Sequence, residues 1–261
     1  MKKLFYKKKK LNIFLNKVLS LGKLLKSYQE RKKYFEVLNK KNFKTKIDLE
    51  INKKLSRILK EFINAPIISE EDNNFFYIPK LFWLIDPIDG TQSLINGFDG
   101  YVIQGCFIAS KKPIFSFILA PKKKLFWYSM RNKGVFLNGV KVRKAKEFKS
   151  ILVDNYPKPK GLAKITFQKL SMKNYIECGS FGLKSALVVS NIANLFVKNV
   201  QFYDWDIMPA VLMLEELNYF VRDLRGNKIK LSNDLKKTNG LIVTNSVKYL
   251  KETLKLKLYE K

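Results

Sequence analysis

Apolar residues recur every three or four positions in two stretches near the start of the chain. From residue 11 to about residue 38, this spacing predicts one helix, or two, with lysines on the outer face. From residue 47 to 62 it predicts another helix, with Asp48 in the first turn, where an acidic group complements the helix dipole. The polar residues 40–46 separate the two predicted helices.

Two short apolar runs that follow end abruptly in acidic residues. The pair at 67–68 precedes Ser-Glu-Glu at 69–71, and the run 81–85 leads into Asp-Pro-Ile-Asp-Gly-Thr at 86–91. A buried strand that ends in this way delivers carboxylates to a sheet edge. Mg²⁺ takes oxygen ligands from one or two carboxylates and leaves places for water and phosphate. The second run therefore predicts a metal site suited to phosphate chemistry.

The pattern between residues 101 and 139 is typical of an antiparallel meander. Apolar runs bounded by turn residues predict strands. These runs cover residues 101–110, 113–120, 125–130 and 134–139, the last including a turn. They form the sheet of a predicted N-terminal α+β domain, residues 1–148, which also carries most of the candidate metal ligands.

The second half of the chain alternates strands and helices, which predicts an α/β layer packed on the first half. Predicted strands cover residues 151–153, 175–178, 193–197, 220–221 and 241–243. Predicted helices lie between the first two strands, over 183–191, from Asp206 as cap to about 217 with Pro209 in the first turn, and after 246. Together they form a predicted C-terminal α/β domain, residues 149–261.

Composition adds a strong positive charge to this picture. The 261 residues are 46% hydrophobic, enough for a folded core, and 51 Lys and Arg against 22 Asp and Glu give a net charge of +29. Three causes could produce that charge. They are binding to nucleic acid, binding to an anionic substrate or membrane surface, and a general compositional drift toward lysine. The lysines are spread along the chain and no RRM, KH or zinc signature occurs, so no specific nucleic-acid partner is expected.

Residue usage also excludes several kinds of chemistry. The chain has no histidine, which removes Ser-His-Asp schemes and the usual transition-metal ligand. Cys106 and Cys178 lack CxxC spacing and are expected to be buried and reduced, which fits the cytoplasm. No run of 18 apolar residues predicts a membrane span. Residues 1–10 are basic, but the apolar stretch after them is interrupted, which predicts an amphipathic helix rather than a secretion signal.

Five short motifs resemble, in order and spacing, those of the inositol monophosphatase-like superfamily. The motifs are Thr-x-x-Asp at 45–48, Ser-Glu-Glu at 69–71, Asp-Pro-Ile-Asp-Gly-Thr at 86–91, Gly-x-Phe-Leu-Asn-Gly at 134–139, and Trp-Asp at 205–206. The resemblance extends over roughly residues 15–245. It implies a layered α-β-α-β-α sandwich of the sugar-phosphatase type and a Mg²⁺-dependent, lithium-sensitive phosphatase.

The resemblance also implies roles for individual residues. The metal ligands would be Glu70, Asp86, Asp89, Asp206 and the carbonyl oxygen of Ile88, with two or three Mg²⁺ ions. Asp48 and Thr91 would orient and deprotonate the attacking water, with Glu70 also in the catalytic group. The amides of Gly90 and Thr91 would cradle the phosphate.

The expected substrate is a small phosphate ester. Lys184 and Lys198 resemble residues of the 3′(2′),5′-bisphosphate nucleotidase branch, which implies hydrolysis of 3′(2′)-phosphoadenosine 5′-phosphate to AMP. Together with Ser180 they are the candidate substrate-binding residues. The alternative substrates are inositol 1-phosphate or another small sugar or alcohol phosphate, in which case the two lysines follow the general lysine excess. An RNA-binding protein and a catalytically inactive family member are the other hypotheses, and a homodimer remains open.

Two departures from the family pattern accompany these motifs. Asn218-Tyr219 stands where the family usually has Gly-Gly, and the loop before Asp48 is short. We therefore expect a changed turn after the last long helix and assign no substrate contact to the early loop.

Overall fold

The computed structural model describes residues 8–31, 37–39, 44–72, 77–144 and 149–257. The helices in these ranges are α1 (Lys8–Glu30), α2 (Lys46–Phe62), α3 (Thr91–Ile95), α4 (Gly161–Lys169), α5 (Phe181–Val189), α6 (Asp204–Glu216) and α7 (Val247–Lys255). The strands of the first half are β1 (Val37–Asn39), β2 (Lys44–Thr45), β3 (Ile67–Ser69), β4 (Leu81–Asp89), β5 (Val102–Ala109), β6 (Lys112–Ala120), β7 (Leu125–Met130), β8 (Gly134–Leu137) and β9 (Val140–Lys141). Those of the second half are β10 (Ile151–Asp154), β11 (Asn174–Glu177), β12 (Leu195–Lys198), β13 (Phe202–Tyr203), β14 (Phe220–Arg222), β15 (Lys236–Lys237) and β16 (Leu241–Thr244).

The larger sheet has seven strands in the order β3-β4-β5-β6-β7-β8-β9. Its strands pair antiparallel from β4 to β9, which confirms the predicted meander. Strand β3 pairs parallel to β4, with Ser69 opposite Ile85. The two runs that end in acids therefore end side by side at one sheet edge.

The smaller sheet has the order β11-β10-β12-β16-β14. Strand β10 runs parallel to both β11 and β12, while β16 is antiparallel to β12 and β14. The carboxyl ends of β10, β11 and β12 consequently meet at one edge, where ligands commonly bind in sheets of this kind.

Five layers of secondary structure pack through three clusters of buried side chains, of which the central one fills the space on both sides of α5 and α6. Helices α1 and α2 pack on one face of the larger sheet, where the rings of Phe14 and Phe62 stack at 4.4 Å beside Trp83. Helices α5 and α6 lie between the two sheets, and α4 and α7 cover the outer face of the smaller one. This arrangement confirms the predicted α-β-α-β-α sandwich.

Two predicted element boundaries were wrong. The first helix ends at Glu30, and residues 37–39 form strand β1 paired with β2, because backbone pairing there overrides the weak helical spacing. Helix α6 begins at Asp204, so Asp206 is its third residue rather than its N-cap. The Asp206 carboxylate still caps the helix, since it accepts a hydrogen bond from the Tyr203 amide at 2.6 Å.

The departure at Asn218-Tyr219 has a simple structural basis. Asn218 has a φ of +54°, a left-handed conformation that asparagine tolerates better than most non-glycine residues. The Tyr219 hydroxyl donates a hydrogen bond to Asn191 Oδ1 at 2.6 Å and fixes the turn. In this chain the turn after α6 is therefore set by Asn218 and Tyr219.

Several other expectations concern parts of the chain at or beyond the described ranges. Residues 40–43, which make up most of the short loop before Asp48, lie outside the described ranges. Residues 145–148, which directly precede the predicted domain boundary, lie outside them too. The boundary therefore stays a prediction. Cys106 and Cys178 are both buried and unpaired, as expected. Among the helices described here, none is long and apolar enough to cross a membrane.

Candidate active site

The register of β3 and β4 places two acidic side chains next to each other. Beyond the Ser69–Ile85 pair, the Glu70 amide donates to the Ile85 carbonyl oxygen at 3.2 Å. This bond continues the parallel pairing by one residue, so Glu70 lies beside Asp86. Two acids 16 positions apart in the sequence are thus joined by an ordinary parallel strand pairing.

Asp89 is held at the amino end of α5. A register shift between Asp86 and Asp89 turns the strand so that the Asp89 carboxylate accepts four hydrogen bonds. The donors are Ser180 Oγ at 2.7 Å, the Gly182 amide at 2.6 Å, Gln104 Nε2 at 3.2 Å and the Phe181 amide at 3.3 Å. A side chain at position 182 would displace Gln104, because a Cβ there would lie 2.2 Å from Gln104 Oε1.

Gln104 connects Asp89 to the start of α6. Pro209 lies in the second turn of α6, not in the first as predicted, and it has no N–H for the carbonyl of Trp205 four residues earlier. The buried Gln104 Nε2 donates to that Trp205 carbonyl at 3.1 Å and to the Asp206 carbonyl at 3.2 Å. The sequence analysis missed Gln104. Its one signal was a polar residue inside the apolar strand β5.

Four acids raise one another's pKa values, and we call Glu70, Asp86, Asp89 and Asp206 the acid cluster. Burial raises the pKa of Glu70 to about 7, and the charges of Glu71, Asp89 and Asp48 add to the shift. Burial also raises the pKa of Asp86, and the charges of Glu70, Asp89 and Asp206 add to it. The pKa of Asp206 is raised by burial and then by Asp89 and Glu70.

The cluster has the properties of a site for a hard cation. Asp86 Oδ2 is buried without a hydrogen-bond donor, although Oδ1 accepts from the Ile88 amide at 3.0 Å. A buried carboxylate oxygen of this kind needs a proton or a cation. Within the described ranges, no group of three or more His, Cys, Asp or Glu side chains is arranged so that it could hold a metal ion as it stands. Mg²⁺ does not require one, since it binds through one or two carboxylates plus water and phosphate oxygens.

Thr91 and Asp48 are in direct contact. Thr91 Oγ1 lies 3.0 Å from Asp48 Oδ1 and 2.9 Å from the Ile88 carbonyl oxygen. The other oxygen, Asp48 Oδ2, accepts from the amide and hydroxyl of Thr45, the N-cap of α2, at 2.7 and 2.6 Å. Asp48 is therefore fixed by a helix cap and presents one oxygen to Thr91. Burial raises its pKa, against the hydrogen bonds from Thr45 and Thr91.

Gly90 makes the sharp turn between β4 and α3. Its φ of +95° is a conformation that glycine adopts readily, and a Cβ there would lie 2.6 Å from the Gly100 carbonyl oxygen. The turn places Thr91 at the first position of α3. The predicted phosphate cradle of Gly90 and Thr91 amides stays a prediction.

The three predicted substrate residues lie in different surroundings. Ser180 is the N-cap of α5 and donates to Asp89. Lys184 is fully buried: it donates to Asn155 Oδ1, and its ammonium lies 5.2 and 4.8 Å from the rings of Phe181 and Phe196. Burial lowers the pKa of Lys184 to about 8.

Lys198 is half-buried and already paired. Its ammonium donates to Asp154 Oδ1 at 2.6 Å and approaches Asn155 Oδ1 at 3.4 Å. It also lies 5.2 Å from the ring centre of Tyr156. Substrate binding by Ser180, Lys184 and Lys198 stays a prediction.

A cavity of about 580 Å³ begins next to the acid cluster. Its wall starts at Gln92, which follows Thr91, and at Gly179, which precedes Ser180. It is lined by residues 92–93, 96–100, 123, 155–156 and 177–179. Its far wall is the edge where the carboxyl ends of β10 and β11 meet. The volume is in the range of small-molecule binding sites.

We expect the metal-free protein to lose thermal stability as the pH rises from about 4.5 to about 7. The pKa of Glu70 is higher in the folded than in the unfolded chain, so the folded state binds more protons in this window and stability falls as they leave. A cation that binds only the folded state should restore the stability. Calorimetry in EDTA and in Mg²⁺ across this pH window measures both effects. An EDTA melting temperature that rises through the window, or one that Mg²⁺ leaves unchanged, would contradict this interpretation.

Comparison with known proteins identifies the family of this chain. The model of the Inositol monophosphatase family matches residues 11–259. The 3′(2′),5′-bisphosphate nucleotidase CysQ of Haemophilus influenzae is 28% identical over 229 residues, which are 80% of this chain and 84% of that protein. A fructose-1,6-bisphosphatase/inositol-1-monophosphatase of Methanocaldococcus jannaschii is 26% identical over 193 residues, 72% of this chain and 75% of that protein.

A solved structure shares the fold. The crystal structure of an IMPase/NADP phosphatase complexed with Mg²⁺ and phosphate superposes with a TM-score of 0.67 at 25% identity, over 80% of this chain and 81% of that one. The family match extends over almost the whole length and includes every residue of the acid cluster. The chain therefore belongs to the inositol monophosphatase family and is a phosphoric monoester hydrolase.

Proposed function

We propose that this protein is a Mg²⁺-dependent 3′(2′),5′-bisphosphate nucleotidase that converts 3′(2′)-phosphoadenosine 5′-phosphate to AMP and phosphate. The observation that carries this proposal is the cavity of about 580 Å³ beside the acid cluster, with Lys123 in its wall. A lysine at a distance from the reacting phosphate suits a substrate with a second anionic group. The similarity to the nucleotidase CysQ supports the same substrate.

In this proposal the acid cluster holds two or three Mg²⁺ ions. Glu70, Asp86, Asp89 and Asp206 are the carboxylate ligands, and the Ile88 carbonyl oxygen is a further one. Two observations support this assignment: Asp86 Oδ2 has no hydrogen-bond donor, and the pKa values of the cluster are raised. A bound cation would interact with that oxygen and would reduce the repulsion between the carboxylates. Bound Mg²⁺ supplies Lewis-acid stabilisation of phosphoryl oxygens and lowers the pKa of water.

The protein's own groups would position and deprotonate the attacking water. Thr91 Oγ1 accepts a proton from the water while its own proton moves toward Asp48 Oδ1, 3.0 Å away. Thr45 holds Asp48 so that this oxygen keeps its direction. The amides of Gly90 and Thr91 would bind the phosphate oxygens. Histidine takes no part in this scheme, which agrees with its absence from the chain.

The second candidate function is hydrolysis of inositol 1-phosphate or a related sugar phosphate. The 26% identity to the fructose-1,6-bisphosphatase/inositol-1-monophosphatase favours it. Both functions would use the same acids and differ only in what occupies the cavity. The buried, unpaired Cys106 and Cys178 are compatible with the reducing cytoplasm that we propose as its location.

A substrate panel tests the proposal. We expect adenosine 3′,5′-bisphosphate to give the highest kcat/KM, with 5′-AMP as the product, against inositol 1-phosphate and fructose 1,6-bisphosphate. Chromatography of the nucleotide product together with a phosphate assay measures this. Faster turnover of inositol 1-phosphate than of the adenosine bisphosphate would reject the nucleotidase and favour the second candidate.

A further inference from the structure

Asn155 lies where the wall of the cavity meets two lysines. It directly follows β10, at the edge where the carboxyl ends of parallel strands meet, and its exposed side chain lines the cavity. Behind it, Asn155 Oδ1 accepts a hydrogen bond from the fully buried Lys184 ammonium and lies 3.4 Å from that of Lys198. The amide oxygen is therefore occupied on its inner side by two ammonium groups.

These contacts fix which way the amide points. An ammonium group donates hydrogen bonds and accepts none, so only the oxygen of Asn155 can face Lys184 and Lys198. The exchange of oxygen and nitrogen that is ambiguous for many asparagines is thus decided here by chemistry. The nitrogen, with two N–H donors, must face the other way. Among the described residues, no acceptor contacts Asn155 Nδ2.

The two lysines have structural reasons to stay where they are. The Lys184 ammonium is enclosed by the rings of Phe181 and Phe196 and cannot reach a ligand without breaking those contacts. Lys198 is tied to the buried Asp154 at 2.6 Å. Neither lysine lines the cavity, whereas Asn155 and Lys123 do.

We propose that Asn155 is a specificity-determining residue whose Nδ2 donates a hydrogen bond to the second, non-reacting phosphate of the substrate, and that Lys184 and Lys198 are positioning residues that orient this amide. This inference rests on the proposed nucleotidase function. Lys123, on the same cavity wall, supplies a positive charge, although the acidic residues Asp99 and Glu177 line the cavity as well.

Asn155→Asp is the sharpest test, because it keeps the shape and the oxygen that the lysines bind but replaces the donor with an acceptor. We expect kcat/KM for adenosine 3′,5′-bisphosphate to fall about 10- to 100-fold, mainly through KM, the worth of a hydrogen bond to a charged group. Adenosine 3′-monophosphate, which lacks the second phosphate, should be hydrolysed almost as well as by the wild type.

Two lysine variants separate positioning from general charge. Lys184→Met replaces the buried ammonium with an apolar chain of similar length, and it should reduce the preference for the bisphosphate by a smaller factor than Asn155→Asp. Lys160→Met is the matched control: the Lys160 ammonium lies 4.8 Å from the neighbouring Tyr156 ring, and it makes no described contact with Asn155. The preference of the Lys160 variant should not change.

The readout is the ratio of kcat/KM for the bisphosphate to that for the 3′-monophosphate, with melting temperatures to confirm folding. An Asn155→Asp variant that keeps the wild-type ratio, or loses both activities equally, overturns the inference while leaving the nucleotidase function intact. A wild type that hydrolyses inositol 1-phosphate but no adenosine bisphosphate overturns both, and the wild-type measurement alone reveals that case.

Discussion

An Asp86→Asn variant should release phosphate about 10³-fold more slowly than the wild type, because the several kcal/mol that metal ions contribute to such transition states would be lost. The same variant should melt at a higher temperature than the wild type in EDTA. Asparagine keeps the oxygen that accepts a hydrogen bond from the Ile88 amide. It replaces the other oxygen, which has no hydrogen-bond donor, with an amino group facing Glu70. The change removes a buried repulsion, and each kcal/mol gained would raise Tm by about 2–4 °C.

Asp204→Asn is the matched control, because Asp204 is a fully buried acid only two residues from Asp206 but outside the cluster. Asp204 pairs with Lys237 at 2.5 Å and accepts from Ser232 at 2.8 and 3.0 Å. Its amide variant should be less stable and still active, the opposite of Asp86→Asn. Steady-state kinetics and thermal melting with and without Mg²⁺ separate the two. Equal losses of activity in both variants would show that the cluster is not special.

A Thr91→Val variant should lower kcat by about 10²-fold or more, the usual worth of a positioned proton acceptor. Valine keeps the shape of threonine but removes the oxygen that lies 3.0 Å from Asp48 and 2.9 Å from the Ile88 carbonyl. The cap of α2 should be unaffected, because Thr45 donates its hydrogen bond to the other Asp48 oxygen, Oδ2. KM should change much less than kcat if the hydroxyl acts on the water and not on the substrate.

Thr91→Ser is the control for this position, because serine keeps the hydroxyl, and it should retain most of the activity. An Asp48→Asn variant should lose kcat by a similar factor and some stability through its weakened cap. The double variant Asp48→Asn with Thr91→Val should be scarcely slower than either single one, since residues that act as a unit are not additive. Additive losses would instead mean that the two residues act independently.

The residues that sequence reasoning placed well are those that local chemistry determines. In β4 and the turn after it, the apolar run, the acids, the proline and the glycine are close together in sequence. The strand, its end and the turn can therefore be predicted from this one stretch. Glu70 lies next to this stretch because β3 pairs parallel to β4 and the Glu70 amide bonds to the Ile85 carbonyl oxygen. The antiparallel meander was equally predictable, because its turns and period-two strands are formed by neighbours along the chain.

The parts that sequence could not supply depend on contacts between distant segments. Helix α5 is apolar on nearly all sides, so no pattern shows that Lys184 points into the interior, toward Phe196 and Asn155. The resemblance to the bisphosphate nucleotidases singled out Lys184 as a substrate residue, but nothing in the sequence indicated its burial or its contact with Asn155. Gln104 was missed for a similar reason: its partner carbonyl is freed by Pro209, 105 positions later in the chain.

We propose that Glu70, Asp86, Asp89 and Asp206 form one cation site. Crystals soaked in Mn²⁺, which takes the same oxygen ligands as Mg²⁺, allow the metal to be located by its anomalous scattering. We predict peaks within bonding distance of these carboxylates and the Ile88 carbonyl oxygen, and their absence from crystals of the Asp86→Asn variant. A map with no peak among the four acids, or with metal bound only elsewhere, would contradict the account.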